Sequence, residues 1–178
     1  MNCHLAHGKD NVQKRFEEIK KIYSSILSEG KDEKAVKDND VKFFLGDLNF
    51  RLDLDTEKAN SLARQEKYLE MLKYDQLSPR TKNNGLLLLD EKPITFPPTY
   101  KFIKDTNTYA LDKRPPAWCD RILWVASDLV KCTDYNYIKS IICSDHKPIY
   151  GIYEVKTKLV KCALEAKETK NEIDELLN

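Results

Sequence analysis

An excess of one charge sign is what this sequence lacks. Its 30 Lys and Arg face 29 Asp and Glu, a formal net charge of +1. Bulk attraction to nucleic acid or to an anionic membrane is therefore not indicated, and any anion binding must come from local clustering. Long apolar runs are missing as well, so nothing spans a bilayer. Met1 opens no signal-peptide pattern. The five cysteines, at positions 3, 119, 132, 143 and 162, contain no CxxC pair. Odd in number and irregularly spaced, they read as reduced thiols of an intracellular, cytoplasmic protein. Cys3 with His7 and Cys143 with His146 lack a matching second pair and read as chance, not zinc. There is no internal repeat and no low-complexity tract. At 178 residues, one domain with its own core is expected.

What is present centres on Pro115-Pro116-Ala117-Trp118-Cys119-Asp120-Arg121-Ile122-Leu123-Trp124. The prolines close a turn, and an apolar run follows a carboxylate and a guanidinium, which reads as a loop feeding a buried strand. Adjacent strand residues face opposite sides, so Asp120 and Arg121 serve different partners. A buried carboxylate needs a partner, most naturally a histidine. Ser144-Asp145-His146 supplies one at the end of another apolar run. Upstream, Gly46-Asp47-Leu48-Asn49 follows the apolar strand 41–45, and its glycine lets the backbone turn. Asp47 and Asn49, two apart, are expected on one side. Three strand ends tipped with acid, amide or imidazole suggest one polar site above a sheet.

In chain order, Asn2-Cys3-His4-Leu5-Ala6-His7 looks like a strand end with polar tips. Asp10 or Asn11 caps a helix whose apolar positions are Phe16, Ile19, Ile22, Tyr23, Ile26 and Leu27, ending at Gly30. Residues 30–40 read as a polar loop. Residues 56–72 read as one helix with Leu62, Leu69 and Leu72 inside. The run at 85–89 is a buried strand or helix end, or else a membrane-touching loop. Residues 94–102 alternate like a strand broken by prolines. Strands are expected at 138–143 and 149–155, then a charged tail from about 156 that is a terminal helix or a linker. The mixture, without strict alternation, predicts an α+β layered sandwich.

At these motifs the sequence resembles the inositol polyphosphate 5-phosphatases. Their superfamily also holds pancreatic deoxyribonuclease, abasic-site endonucleases and neutral sphingomyelinases. Besides the stretches quoted above, Phe50-Arg51, Lys73-Tyr74-Asp75-Gln76-Leu77 and Ile94-Thr95-Phe96-Pro97-Pro98-Thr99-Tyr100-Lys101 match, in the family order. Gly-Asp-x-Asn and Ser-Asp-His are shared across the superfamily, whereas Pro-Thr-Tyr-Lys with Pro-Ala-Trp-x-Asp-Arg is specific to the 5-phosphatases.

The resemblance implies a four-layer α/β/β/α sandwich of the deoxyribonuclease-like kind, of which residues 1–155 form only the second half. The family's early strands, with an Asn and a metal-binding Glu, have no counterpart here. It implies Mg²⁺-dependent hydrolysis of the 5-phosphate of an inositol phosphate or phosphoinositide. No nucleic-acid partner is implied; membrane contact is peripheral if it occurs, and the oligomeric state is open. Asp120 and His146 are the expected carboxylate–imidazole pair. Asp47 and Asn49 position or activate water, with either Asp47 or His146 taking its proton. Asp145 is expected near the metal, and Asn2 and His4 at the phosphate. Tyr100, Lys101 and Arg114 are expected to read a neighbouring 4-phosphate, with Arg121 adding to that anion site. This chain departs from the family pattern at Asp112, where a lysine is usual, at Glu91-Lys92-Pro93, and in having one alanine after His4-Leu5.

Overall fold

The computed structural model describes residues 1–29, 32–35, 39–77 and 89–158. In chain order the elements are β1 (Asn2–His4), α1 (Val12–Tyr23), β2 (Ile26–Glu29), β3 (Asp32–Ala35), β4 (Phe43–Asp47), α2 (Thr56–Arg64), α3 (Tyr68–Leu72), β5 (Leu89–Asp90), β6 (Asp120–Val125), β7 (Val130–Tyr137) and β8 (Ile149–Val155).

β4 organises the rest. Its Phe-Phe-Leu run is too apolar to sit at an edge, and it lies inside a four-stranded sheet of order β1-β4-β6-β5. β1 pairs with it in parallel and β6 antiparallel. The register sets His4 opposite Asp47, and Asp47 opposite Asp120. Three polar tips therefore share one end of the sheet.

The pleat sends alternate β4 side chains to opposite layers. Phe44 and Leu123, cross-strand neighbours, join Phe16 and Ile19 of α1 in one buried cluster with Leu5, Leu48, Phe50 and Leu77. Phe43 and Trp124 face the other way, onto Tyr153 of β8, at ring separations of 4.8 and 5.3 Å. β7 and β8 form a second, antiparallel pair. Helix, sheet and second sheet thus stack in three layers. A second cluster joins α2 and α3, through Ala59, Leu62, Ala63 and Met71, to Ile94, Phe96, Trp118 and Tyr135.

α1 has Asn11 at its N-cap but no side-chain cap; the Asn11 Nδ2 group donates to the His7 carbonyl instead. A missing cap forfeits about 1 kcal/mol. Burial of Phe16 and Ile19 contributes roughly 2 kcal/mol each and outweighs it. α2 is capped, Asp55 accepting from the Lys58 amide at 2.8 Å.

Several elements depart from expectation. α1 stops at Tyr23, because the Ser25 hydroxyl donates to the Ile22 carbonyl and turns the chain. Ile26 and Leu27 belong to β2, which pairs with β3 inside the segment expected to be loop. The helix expected over 56–72 is two, broken at Glu66, whose φ is +54°. Leu69 is consequently 74% exposed and not core. Residues 138–143 form turns and not a strand. Their carbonyls serve other partners: Ile142 accepts from the Asp105 amide, and Lys139 and Ile141 accept from Lys147. Residues 94–102 are irregular, with isolated pairings of Tyr100 to Ala117 and His146. Residues 85–88 and the tail from 159 lie outside the described residues.

Candidate active site

Gly46 brings the first two elements together. Its φ is +126°, and a Cβ there would lie 2.1 Å from the Cys3 carbonyl oxygen. Only glycine allows β1 and β4 this close. His4 thereby reaches Asp47, with Nε2 to Oδ2 at 3.4 Å. β6 opens with Asp120 directly across, and the loop between β7 and β8 returns His146 to the same end. His146 Nδ1 lies 3.2 and 3.0 Å from the two Asp120 oxygens. Thr99 donates its hydroxyl to Asp120 Oδ2 at 2.7 Å. His146 Nε2 is 4.0 Å from Asp47 Oδ2. One donor atom each from Asp47, Asp120 and His146 lies within 4.8 Å of the others. The Tyr100 ring packs against the imidazole at 4.5 Å.

The electrostatics follow from this geometry. A carboxylate can only accept, so His146 Nδ1 carries a proton and Nε2 faces Asp47. Burial opposes a charged His146, but the hydrogen bond and charge of Asp120, aided by Asp47 and Asp145, outweigh it and raise its pKa. Asp47 is also raised, by burial first and then by repulsion from Asp120; His146, the Asn49 amide and His4 offset this only in part. The pair of raised groups is an acid beside a base, the pattern of a site that moves protons.

Residues 1–152 match the Endonuclease/Exonuclease/phosphatase family 2 profile. The chain belongs to this family. Phosphatidylinositol 3,4,5-trisphosphate 5-phosphatase 2 of Canis lupus familiaris is 33% identical over 171 residues, covering 87% of this chain and 13% of that protein. Inositol polyphosphate 5-phosphatase K of Mus musculus is 36% identical over 177 residues, covering 88% of this chain and 38% of that one. The crystal structure of the inositol polyphosphate 5-phosphatase domain of SPsynaptojanin, in complex with inositol (1,4)-bisphosphate and calcium ion, superposes with a TM-score of 0.74 at 29% identity. That match covers 99% of this chain and 54% of the other. The chain thus spans a minor part of the curated relatives and about half of the solved domain. The fold is that of the Endonuclease/Exonuclease/phosphatase family and is α+β.

Within this family-2 chain, His4, Asp47, Asp120 and His146 are brought together, with Tyr100 packed on the imidazole and Asn49 bonded to Asp47; the other expected residues stand apart from this group. Asn49 has φ +56° and is buried. Its side chain donates to the Leu5 carbonyl and accepts from Arg51 Nη2, while its amide donates to Asp47 Oδ1. It holds Asp47 in place and does not share its face. Asn2 is exposed on β1, beside Gly46. Asp145 binds Lys101 at 2.6 Å and stands outside the three-residue group. Tyr100 is buried, its ring also carrying the Arg51 guanidinium at 4.4 Å, so it is a platform and not an exposed reader. Lys101 lines a cavity of about 690 Å³ with Ser144 and Asp145. Arg114 lines a different one of about 340 Å³. Arg121 is fully buried and paired with Asp75 at 2.9 Å and Glu91 at 2.5 Å, so no charge remains for a bound anion.

Residues not singled out from the sequence also matter. Thr99 fixes Asp120, and Arg51 braces Asn49 and Tyr100. Thr99 directly precedes Tyr100-Lys101 and Arg51 closes the Gly46–Arg51 run, so adjacency to these motifs was the available signal. Lys147 is buried and donates to the carbonyls of Thr106, Lys139 and Ile141. It left no signal, because lysines are normally solvated.

The described residues do not complete a divalent-cation site by themselves. A hard cation takes about six oxygen ligands. Both Asp120 oxygens serve His146 and one also Thr99, Asp47 Oδ1 serves Asn49, and Asp145 serves Lys101. Asp47 Oδ2 has no hydrogen-bond donor in contact other than the flanking imidazole nitrogens, and is the most open carboxylate oxygen of the group.

Proposed function

We propose that this chain is part of the catalytic domain of an inositol polyphosphate 5-phosphatase, acting on the 5-phosphate of an inositol polyphosphate or phosphoinositide. The carrying observation is the Asp47–Asp120–His146 cluster, assembled by the β4–β6 register and the β7–β8 loop in a chain of this family. Asp120 and Thr99 hold the imidazole, and His146 Nε2 presents its proton to a phosphate oxygen. His4 adds a second donor at the same end. Asp47 Oδ2 accepts the proton of the attacking water; its raised pKa suits a base, and a charged His146 has no lone pair free to compete. Positioning and charge dominate phosphoryl transfer, so these roles suffice without a covalent intermediate. Mg²⁺ is the proposed cofactor, a hard cation that neutralises phosphate oxygens when bound.

The test is phosphate release from inositol 1,4,5-trisphosphate and from short-chain phosphatidylinositol 4,5-bisphosphate, with and without Mg²⁺. Release should require Mg²⁺ and fall about 10²–10⁴-fold in His146→Ala. Comparable cleavage of abasic DNA would instead place the chain in the nuclease branch. A second reading, inositide binding without turnover, is favoured by how few carboxylate oxygens at the site are unengaged. Saturable binding with no release at high Mg²⁺ would select it.

A further inference from the structure

Three tyrosines from separate parts of the chain line one cavity of about 270 Å³. Tyr68 opens α3, Tyr109 lies in the loop before Lys113, and Tyr137 closes β7. Phe102 and Pro97 add apolar surface. Among the described residues that line it there is one carboxylate, Glu66, and one ammonium, Lys139. We propose that this cavity binds a phosphocholine group, with the trimethylammonium among the tyrosine rings beside Glu66 and the phosphate oxygens at Lys139. Among the described residues it has no lining residue in common with the cavity of about 330 Å³ at Asp47, Asp120 and His146, and only Phe102 in common with the one at Lys101.

The rings are held before any ligand arrives. Phe102 stacks on Tyr109 at 4.4 Å, and Phe96 on Tyr137 at 6.0 Å. Tyr109 also donates its hydroxyl to the Pro98 carbonyl at 2.7 Å. Tyr68 packs against the buried cluster that joins α2 and α3. An aromatic face is electron-rich, so several rings around one space attract a cation. A quaternary ammonium suits such a space best, because its methyl groups pack on the rings and it has no N–H to leave without an acceptor. The same aromatic group already holds one cation: Lys147 Nζ lies 4.9 Å from the Phe102 ring centroid.

The two charges select the rest of the ligand. Glu66 stands at the break between α2 and α3, at φ +54°. Its carboxylate is close enough to be felt at two of the rings. Burial first, and then the charge of Glu66, raise the pKa of the Tyr68 hydroxyl; Tyr109 is raised by burial, by Tyr68 and Tyr137, and by the same carboxylate. Both hydroxyls therefore stay neutral, and the negative charge of the cavity resides on Glu66. Lys139 is exposed, while its carbonyl is fixed by Lys147 Nζ at 3.2 Å. Glu66 and Lys139 form no ion pair with each other. A zwitterion answers both charges, whereas a simple cation meets the lysine and a simple anion meets the carboxylate. The volume lies just below the range of drug-sized pockets, about 300–1,000 Å³, and suits a head group, not a whole lipid. The site does not depend on the proposed reaction.

The experiment is an NMR titration of the 178-residue chain with phosphocholine, following the amides of Tyr68, Asn107, Tyr109 and Tyr137. Saturable shifts are expected there. Affinity should be about tenfold weaker in Tyr68→Leu, which keeps an apolar side chain but no ring, and close to wild type in Tyr68→Phe. Glu66→Gln, at an exposed position, should bind about threefold more weakly. The isostere 3,3-dimethylbutyl phosphate has the same shape without the positive charge and should bind about tenfold more weakly than phosphocholine. Co-sedimentation with phosphatidylcholine vesicles, lost in Tyr68→Leu, identifies the bilayer as the source of the group; binding of soluble phosphocholine alone identifies a free ester. Either supports the site. Equal affinity for the isostere, unchanged affinity in both Tyr68→Leu and Glu66→Gln, or shifts confined to residues around Lys101 and His146 overturns it.

Discussion

His146 holds its proton more firmly than a free histidine, because Asp120 and Asp47 outweigh the burial that opposes its charge. Below the unfolded-state pKa of about 6.5 the group is charged in both states and its stabilisation is complete. It is lost as pH rises through the higher folded-state value. Melting temperature should therefore decline between about pH 6.5 and the alkaline side, and His146→Gln should flatten that decline. A thermal-unfolding series with equal slopes in both proteins would refute it. Asp47 has the opposite character, a carboxylate crowded by burial and by Asp120. Asp47→Asn keeps Oδ1 for the Asn49 amide, so it should leave the fold intact or stabilise it by up to about 1 kcal/mol. Phosphate release should drop about 10²–10⁴-fold. Denaturant unfolding and turnover, measured together, check the split. At this scale the pairing of Asp120 with His146 was legible, since a strand-end carboxylate needs a partner. The diversion of Asp145 to Lys101 was not: which of two adjacent side chains turns inward depends on a residue 44 positions away.

Among the elements, the contact of β1 with β4 rests on Gly46. Gly46→Ala would set a methyl group against the Cys3 carbonyl and strain a φ of +126°. We expect a loss of about 2–4 kcal/mol and the release of His4 from Asp47, with slower phosphate release as the readout. An unchanged denaturation midpoint would mean that the strands can part without cost. β4 and β6 were legible as apolar runs flanked by turn residues, and β8 by its alternation, one side of it being exposed at Ile152. The break at Glu66 and the end of α1 at Tyr23 were not. Neither has a proline or a glycine to mark it, and each is fixed by a single backbone or hydroxyl interaction.

For the molecule as a whole, Arg121 ties distant segments together. It joins β6 to Asp75 after α3 and to Glu91 after β5, and Glu91 also accepts from the Tyr135 hydroxyl of β7. Removing the guanidinium takes one cationic partner from both a fully buried and a mostly buried carboxylate. Arg121→Ala should cost about 3–5 kcal/mol in urea unfolding, and Arg121→Lys nearly as much, since one ammonium cannot span both acids. A loss under 1 kcal/mol would show that water reaches the acids. The sequence placed Arg121 and Asp120 on opposite faces, correctly, but could not say that the far face was dry. That depends on where Glu91 arrives, and Glu91 follows a stretch outside the described residues.

The rim of the site has a support of a different kind. Lys147, next to the imidazole, ties the 103–109 and 139–146 loops by three bonds that all end on main-chain oxygens. None depends on the side chains at 106, 139 or 141. Side chains at those three positions can therefore change without removing any of the three bonds, and both loops keep their anchor beside the imidazole.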